Sequence, residues 1–192
     1  MKKTTLLLTL VFLSAILVSA QAEPPPPPPA APDYSPDLWK EYSYTEDGVR
    51  FRFPAEPKIT ELAGGKGRRY GRRSFMNFSL EISDAGIDVG NNKESQKRYL
   101  ILIAMSLEKA AEADGTKIIK NEDTTVDGIP AKFFVIEGKD GFVTRGKVFV
   151  IKDKVYSAES IVKKGERHGF NWENDFEKPA MAFLDSVRLI AK

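Results

Sequence analysis

The sequence predicts an α+β fold in which helices pack on an antiparallel β-sheet. Three β-rich runs, at 131–137, 142–151 and 155–162, follow one another with connections of only three or four residues. Such short connections join antiparallel neighbours, because a parallel crossover needs about a dozen residues or more. One long segment, Glu94–Asp114, instead repeats its apolar residues at helical spacing. These two patterns together indicate a sheet with a covering helix.

Five further segments are predicted to extend or cover this sheet. Val49–Phe53 alternates apolar and basic residues, as a half-buried strand does. Met76–Ile82 shows the clearest two-residue period in the chain. Ile59–Leu62 and Lys117–Asp127 are also expected to be strands. Pro179–Leu189 is predicted to be a short helix, because proline is accepted in the first turn and an apolar face follows.

The long predicted helix has a broad apolar stripe. A stripe of this width lets a helix lie flat on a sheet, so we expect its members to pack in the core. Contact of Tyr99 or Met105 with a ligand is the alternative interpretation. The members of the stripe are Leu100, Ile103, Leu107 and Ala110 or Ala111, widened by Tyr99, Leu102 and Met105.

The first 22 residues are predicted to be a secretory signal peptide. Lys2 and Lys3 supply the charged start, Leu6–Val18 is an apolar stretch of 13 residues, and Ala20–Ala22 is a small-x-small cleavage site. The stretch is shorter than the roughly 20 residues that a membrane-spanning helix needs. We therefore expect cleavage before Glu23, no membrane span after cleavage, and a periplasmic or secreted protein. A retained membrane anchor is the alternative.

A proline-rich linker is predicted at 23–33, followed by one α+β domain at 34–192. The linker contains six consecutive prolines, which favour an extended polyproline II rod. Such a rod can act as a spacer that holds the domain away from a membrane. It can also act as a docking peptide for an aromatic-lined groove. The low-complexity composition favours the spacer.

Composition excludes several classes of site and partner. The chain has no cysteine, which excludes disulfides, a cysteine nucleophile and a cysteine-based zinc site. Its net charge of +2 comes from Lys2 and Lys3, because 29 basic residues less these two leave 27, against 27 acidic residues. This balance, together with the expected export, argues against a nucleic-acid partner.

No catalytic residue, metal ligand or cofactor is predicted. The single histidine, His168, lies in a polar segment where no nucleophile or orienting partner can be named for a general base. The loop 83–93 is rich in Asp, Asn and Gly, which would suit calcium. Counted from Asp84, however, its sixth and twelfth positions are Val89 and Ser95, where an EF-hand loop needs Gly and Glu. We interpret it as an ordinary loop.

The densest charge cluster is the candidate binding site. It spans a glycine-rich turn and the start of a strand. As a functional site it would dock an acidic protein patch, an anionic lipid or a polysaccharide. The alternative is a solvated hairpin whose charges discourage strand-to-strand aggregation. The cluster comprises Lys66, Arg68, Arg69, Arg72 and Arg73.

Four short sequences resemble those of the PsbP-like (Mog-type) fold family. Gly48–Pro54 resembles an entry strand that ends in Phe-Pro, and Asp127–Phe133 resembles a run with Asp-Gly-x-Pro after the helix. Arg145–Tyr156 is similar to the paired strands that follow. Phe183–Val187 resembles the closing Phe-Leu-x-Ser-Phe, with Val187 in place of the usual aromatic residue. Together these sequences span almost the whole predicted domain.

The resemblance implies an antiparallel sheet of about six or seven strands with helices on its faces, an α/β/α sandwich. Family members that are named for a function are not enzymes but extrinsic subunits of photosystem II or Ran-binding proteins. No contact motif for either partner can be matched in this sequence, and the expected export argues against Ran. The resemblance therefore implies the fold without fixing a partner.

We expect an exported, non-catalytic binding or assembly module of the cell envelope. Its partner is expected to be an envelope protein or another anionic surface, met by the basic cluster together with the loop 83–93. The sequence does not predict an oligomeric state. The alternative is a small-ligand-binding or enzymatic domain of the cone-shaped NTF-like kind, in which sheet and helix enclose a pocket.

Overall fold

The computed structural model of the chain describes residues 35–63, 66–72, 76–164 and 176–190. The predicted signal peptide and proline-rich linker lie outside the described residues. The described part contains a short 3-10 helix at Pro36–Leu38, helix α1 and helix α2, and ten strands. The helices are α1 (Lys93–Asp114) and α2 (Lys178–Ser186). The strands are β1 (Lys40–Tyr44), β2 (Val49–Phe53), β3 (Lys58–Glu61), β4 (Gly67–Arg72), β5 (Asn77–Asp84), β6 (Lys117–Val126), β7 (Ile129–Glu137), β8 (Phe142–Ile151), β9 (Lys154–Lys163) and β10 (Arg188–Leu189).

These strands form two sheets in which all neighbours are antiparallel. The larger sheet has seven strands in the order β3-β4-β5-β9-β8-β7-β6, and the smaller has three in the order β1-β2-β10. The predicted antiparallel meander is confirmed as β7, β8 and β9, paired in sequence. The predicted α+β fold and its sheet of six or seven strands are also confirmed.

The second sheet is the main feature that the sequence analysis did not predict. Its strand β1 was not recognised, and the closing helix was expected to continue to Leu189. The helix instead ends at Ser186, and Leu189 pairs with Val49 of β2. A two-residue strand has no sequence period of its own, so only its partner in the folded chain defines it.

Strand β4 begins inside the glycine-rich turn of the predicted charge cluster. Gly67 is its first residue. A Cβ atom at Gly67 would lie 2.0 Å from the carbonyl oxygen of Ile82 on β5. Glycine is therefore needed here because two backbones approach closely, and not only because a turn is flexible.

The larger sheet is covered on both faces, and each face has its own apolar core. On one face α1 packs over β6, β7 and β8, where Leu100 meets Phe134, Val148 and Val150. The other face carries α2 and the small sheet. The nearly unbroken apolar run of β7 contributes side chains to both cores. Phe134 belongs to the core beneath α1, and Phe133 packs against the core on the other face.

Aromatic rings join α2, the small sheet and the large sheet. The ring centre of Phe183 on α2 lies 5.4 Å from that of Phe53 and 6.3 Å from that of Phe51, both on β2. It lies 5.4 Å from the ring centre of Phe78 on β5. All four rings are almost completely buried. Edge-to-face packing of this kind adds to the free energy gained by burial alone.

Helix α1 begins and ends with residues that commonly cap helices. The side chain of Asn92 accepts a hydrogen bond from the backbone N–H of Glu94, and Gly115 ends the helix in a left-handed conformation at φ 61°.

One polar residue lies in the buried row of the helix. The side-chain amide of Gln96 is fully buried and has no hydrogen-bond partner among the described residues. Such a group costs free energy, because it loses water without a replacement.

Replacing Phe183 with Ala is expected to lower the free energy of unfolding by about 3–5 kcal/mol, because a cavity opens between three aromatic rings. Urea denaturation followed by circular dichroism measures the change. Phe142→Ala is the matched control, because Phe142 is an exposed phenylalanine, and we expect it to cost less than about 1 kcal/mol. Equal effects of the two substitutions would contradict the assignment of Phe183 to the core.

Replacing Gln96 with Met is expected to raise the free energy of unfolding by about 1–2 kcal/mol, since a side chain of similar volume removes the unpaired amide. Thermal and urea unfolding of the two proteins test this. Gln96→Ala also removes the amide but leaves a cavity, and it is expected to be less stable than Gln96→Met. A marked loss of stability in Gln96→Met would show that the amide makes a favourable contact.

Candidate functional site

The structure divides the predicted basic cluster between two faces of the large sheet. Arg68 and Arg69 are consecutive residues of β4, so their side chains leave opposite faces. Lys66 is exposed just before the strand. The side chain of Arg72 and the whole of Arg73 lie outside the described residues. The described members of the cluster therefore do not form one continuous cationic surface.

Arg68 is surrounded by carboxylates. Its Nε donates to Glu61 Oε1 on β3 at 3.0 Å. Its Nη1 contacts Glu46 Oε1 and, at 3.4 Å, Asp47 Oδ2 in the turn between β1 and β2. Three negative charges from two other segments thus compensate this one arginine, which leaves little net charge to attract an anionic partner.

Asp47 connects the small sheet to the large one. The hydroxyl of Tyr70 on β4 donates to Asp47 Oδ2, and the hydroxyl of Tyr156 on β9 donates to the Asp47 carbonyl oxygen at 3.2 Å. Burial raises the pKa of Tyr70, and its hydrogen bond to Asp47 raises it further. Burial also raises the pKa of Tyr156. Both tyrosines therefore stay protonated as donors, and the arrangement is a structural one.

Arg69 lies on the opposite face, within a polar stripe of β4, β5 and β9. Its Nε donates to Glu81 Oε2 at 3.0 Å. On the neighbouring strand, Ser157 Oγ donates to Glu159 Oε1 at 3.1 Å. Burial raises the pKa of Glu159, and the nearby charge of Glu81 adds to the rise, whereas Ser157 and Arg69 oppose it. The sequence analysis did not find this carboxylate pair, because the two glutamates meet only through strand pairing.

Replacing Glu159 with Gln is expected to stabilise the protein at pH 7 by a few tenths of a kcal/mol to about 1 kcal/mol. The folded-state pKa is raised, so ionisation of Glu159 opposes folding at pH values above the ordinary 4.5. Below that value both the folded and unfolded states are protonated, and the difference between the variants should disappear.

Urea unfolding at pH 4 and pH 7 measures the effect of Glu159→Gln. Glu122→Gln, at an exposed position of β6, serves as control and should change the free energy of unfolding by less than about 0.5 kcal/mol. An equal effect of Glu159→Gln at both pH values would contradict the raised pKa.

The loop 83–93 uses its polar oxygens to fix its own backbone. Asp84 Oδ1 accepts from the N–H of Gly86, and Asp88 Oδ1 accepts from the N–H of Gly90, each at 2.8 Å. The N–H of Val89 donates to the carbonyl of Lys152 in the β8–β9 turn at 2.8 Å. No group of three or more His, Cys, Asp or Glu side chains suited to a metal ion occurs among the described residues.

The outward face of α1 departs from prediction. Leu102 and Met105 were expected to widen the core stripe, but they are 58% and 59% exposed, and Ile101 is 52% exposed. The sheet covers only one side of the helix. The side of α1 that packs on the sheet carries its buried residues, which include Leu100 and Ala104. The outer residues turn away from the sheet and leave an apolar patch on the surface. We call Ile101, Leu102 and Met105 the α1 patch.

A groove of about 610 Å³ lies beside the α1 patch, between the N-terminal half of α1 and the β6–β7 hairpin. Two lysines, Lys93 and Lys97, stand on its helical side. On the strand side Lys132 Nζ pairs with Asp123 Oδ1 at 2.8 Å. Its apolar lining includes Leu100, Ile101, Pro130 and Ala131. The groove and the patch share Ile101, so they form one continuous surface.

Two buried cations fix α2 to the large sheet. Lys147 on β8 donates from Nζ to Asp185 Oδ1 at 2.8 Å, and Arg145 lies 3.5 Å from Glu177 Oε2. Strand alternation places both cations on one face of β8. Their burial could not be predicted from sequence, because their ion partners lie more than thirty residues away along the chain. The two ion pairs attach both ends of α2 to strand β8.

His168, the single histidine of the sequence, lies outside the described residues. The hydroxyl of Tyr99 donates to the carbonyl of Ala85 at 2.8 Å, so it ties α1 to the preceding loop. Neither helix in the described residues combines the length and the apolar character that crossing a bilayer requires.

Comparison with solved structures identifies the fold. The chain is similar to the solution structure of cyanobacterial PsbP (CyanoP) from Synechocystis sp. PCC 6803, with a TM-score of 0.51 over 79% of this chain and 92% of that one. The chain has a PsbP-like fold. Sequence identity to CyanoP is 14%, so the PsbP-like fold is what the two proteins are shown to share.

A crystal structure from Bacteroides thetaiotaomicron VPI-5482 also matches, at 10% identity and a TM-score of 0.39, over 80% of this chain and 49% of that chain. No protein-family model matches the sequence, and no curated protein matches it. The PsbP-like fold agrees with the family resemblance read from the short motifs, and the site must be judged on the residues of this chain.

Proposed function

We propose that the chain is an exported, non-catalytic binding or assembly module of the cell envelope and that α1 carries its main interaction surface. The α1 patch is the observation that supports this most strongly. Three large apolar side chains are more than half exposed on a helix whose inner face is fully packed. Apolar residues grouped in this way mark protein-contact surfaces more often than isolated exposed ones do.

The α1 patch is a better candidate than the basic cluster for a physical reason. Arg68 and Arg69 already make ion pairs with Glu61, Glu46 and Glu81. A partner that used these arginines would first have to break those pairs, and surface ion pairs contribute little net affinity. The basic cluster therefore remains a second candidate surface.

The packing on α1 also favours a surface over an enclosed ligand site. Leu100, Phe134, Val148 and Val150 fill the interface between α1 and the large sheet. An NTF-like carrier or enzyme would need a cavity in that place with several polar groups converging on it. The groove lies beside the helix and is open, which suits a bound protein segment.

Export is part of the same proposal. The predicted signal peptide at 1–22 would carry the chain out of the cytoplasm and would then be cleaved. In the alternative case of a retained anchor, the prolines of 23–33 would hold the domain away from the membrane.

Site-specific photo-crosslinking in the native envelope tests the proposal. A photo-reactive residue at position 105 is expected to form protein adducts, whereas one at the exposed position 38 is the matched control and should not. Adding Ile101→Glu should abolish the adducts, because a charge in the patch opposes burial. Adducts that survive Ile101→Glu but vanish with Arg68→Glu and Arg69→Glu would move the interaction surface to the basic cluster.

A further inference from the structure

Strand β6 forms one edge of the large sheet, where β7 is its strand neighbour. In an antiparallel edge strand, every second residue directs its N–H and C=O groups away from that neighbour, where a further strand can pair with them. Apart from β7, no backbone group in the described part of the chain bonds to the backbone of β6. The outer side of β6 is therefore open to a further strand.

The second half of β6 is regular. Edge strands are often closed by a bulge or by charged side chains. The pairing of β6 with β7 shifts between Ile118 and Lys120, so the irregularity lies in the first half, whereas residues 121–126 pair without a shift. Two residues of the regular half, Thr124 and Thr125, line the groove beside α1. The part of the edge that suits strand pairing thus borders the groove.

One flank of α1 stands beside this part of the edge. Asn121 of β6 donates to Glu108 of α1 at 3.1 Å, and Lys97 and Ile101 line the groove together with Thr125. Residues 97, 101 and 108 share this flank, because they are four and seven positions apart. Side chains alternate between the two faces of a strand. A strand added to β6 would therefore present every second side chain to this flank of α1.

Two lysines give the helical side of the groove a positive charge. Lys93 and Lys97 are four residues apart, so they lie on one side of the helix and repel each other. They also belong to the first two turns of α1, where the helix dipole disfavours positive charge. Neither lysine has an ion-pair partner in the described part of the chain. Their placement therefore does not serve the stability of the helix.

The acidic groups near these lysines are already paired. Asp123 Oδ1 lies 2.8 Å from Lys132 Nζ. On the helix, Glu94 Oε1 lies 3.7 Å from Arg98 Nε. The lining of the groove has three lysines and one aspartate, which leaves two net positive charges (three less one) beside its apolar residues. An acidic side chain with apolar neighbours complements such a lining.

We propose that β6 and the groove bind an extended segment of a partner protein, which joins the seven-stranded sheet as an eighth strand and places an acidic side chain at Lys93 and Lys97. This inference rests on the proposed function and gives the chemistry of the partner. In this mode of binding, main-chain hydrogen bonds supply affinity and pockets for alternate side chains supply specificity. The α1 patch continues the contact surface, because it shares Ile101 with the groove.

Selection of random ten-residue peptides, the length of β6, on the full chain supplies a defined probe. We expect the selected peptides to combine β-branched or aromatic residues with an aspartate or glutamate. The best of them, made synthetically, should shift the backbone amide NMR signals of residues 121–126 and of Lys97. Selection of no peptide, selection of peptides without an acidic residue, or shifts confined to other strands would overturn the proposal.

Charge reversal tests the acidic contact. Lys97→Glu should weaken binding of the selected peptide at least about tenfold, whereas Lys58→Glu, at an exposed position of the opposite edge strand β3, should leave the affinity unchanged. A peptide with lysine in place of its acidic residue should bind Lys97→Glu more tightly than it binds the wild type. Lys97→Glu should melt no lower than the wild type, because it removes the repulsion of Lys93. Equal affinity of the selected peptide for both variants would contradict the proposal.

N-methylation of the peptide tests the strand pairing without altering the protein. Methyl groups on alternate amides of one edge should abolish binding, and methyl groups on the other alternate set should leave the affinity unchanged, because only one edge of an added strand faces β6. Equal effects of the two sets would overturn strand addition. Binding of dodecanoate in the groove, with no peptide selected, would instead assign the groove to a small anionic amphiphile.

The position-105 crosslinks separate failure of this inference from failure of the proposed function. Protein adducts that Ile101→Glu abolishes, in a chain that binds no acidic strand, would reject strand addition and leave the proposed function standing. Loss of both the adducts and the peptide binding would reject the proposed function as well.

Discussion

Packing of Phe183 between β2 and β5 is the contact on which the rest of this structure depends. Its ring touches both sheets, so one side chain of α2 links them at the point where Phe53 of the small sheet also meets Phe78 of the large one. The chain after α2 then continues into β10 and pairs with β2. Because these contacts are distant in sequence, folding must bring β2 and α2 together before this core is complete.

Polar contacts position the elements that the aromatic core brings together. Lys147 and Arg145 hold the two ends of α2 through Asp185 and Glu177. Asp47 attaches the β1–β2 turn to the large sheet. The opposite face is covered by α1, the one helix of the described residues that packs there. Within the described part of the chain no further layer covers the outer side of α1, where Ile101, Leu102 and Met105 are exposed.

Local patterns in the sequence predicted most of the large sheet. Strand β5 and the meander have strong two-residue periods, and α1 has clear end signals. The small sheet was not predicted, because β10 is defined only by its pairing with β2.

The basic cluster was read as one surface because its residues are adjacent in sequence. Strand alternation separates Arg68 from Arg69, and carboxylates as distant as Glu46 compensate the charge. The exposure of Met105 could not be predicted from sequence either, because helical spacing does not show how wide a strip of the helix the sheet covers.

Native-state hydrogen exchange tests most directly whether the aromatic core makes the two sheets one cooperative unit. Amides of β2 and of β9 should then exchange with the same opening free energy, equal to that of global unfolding, and should respond equally to urea. Exchange of β2 through an opening of clearly lower free energy, with β9 still protected, would show that the small sheet detaches on its own and would contradict the central place given to Phe183.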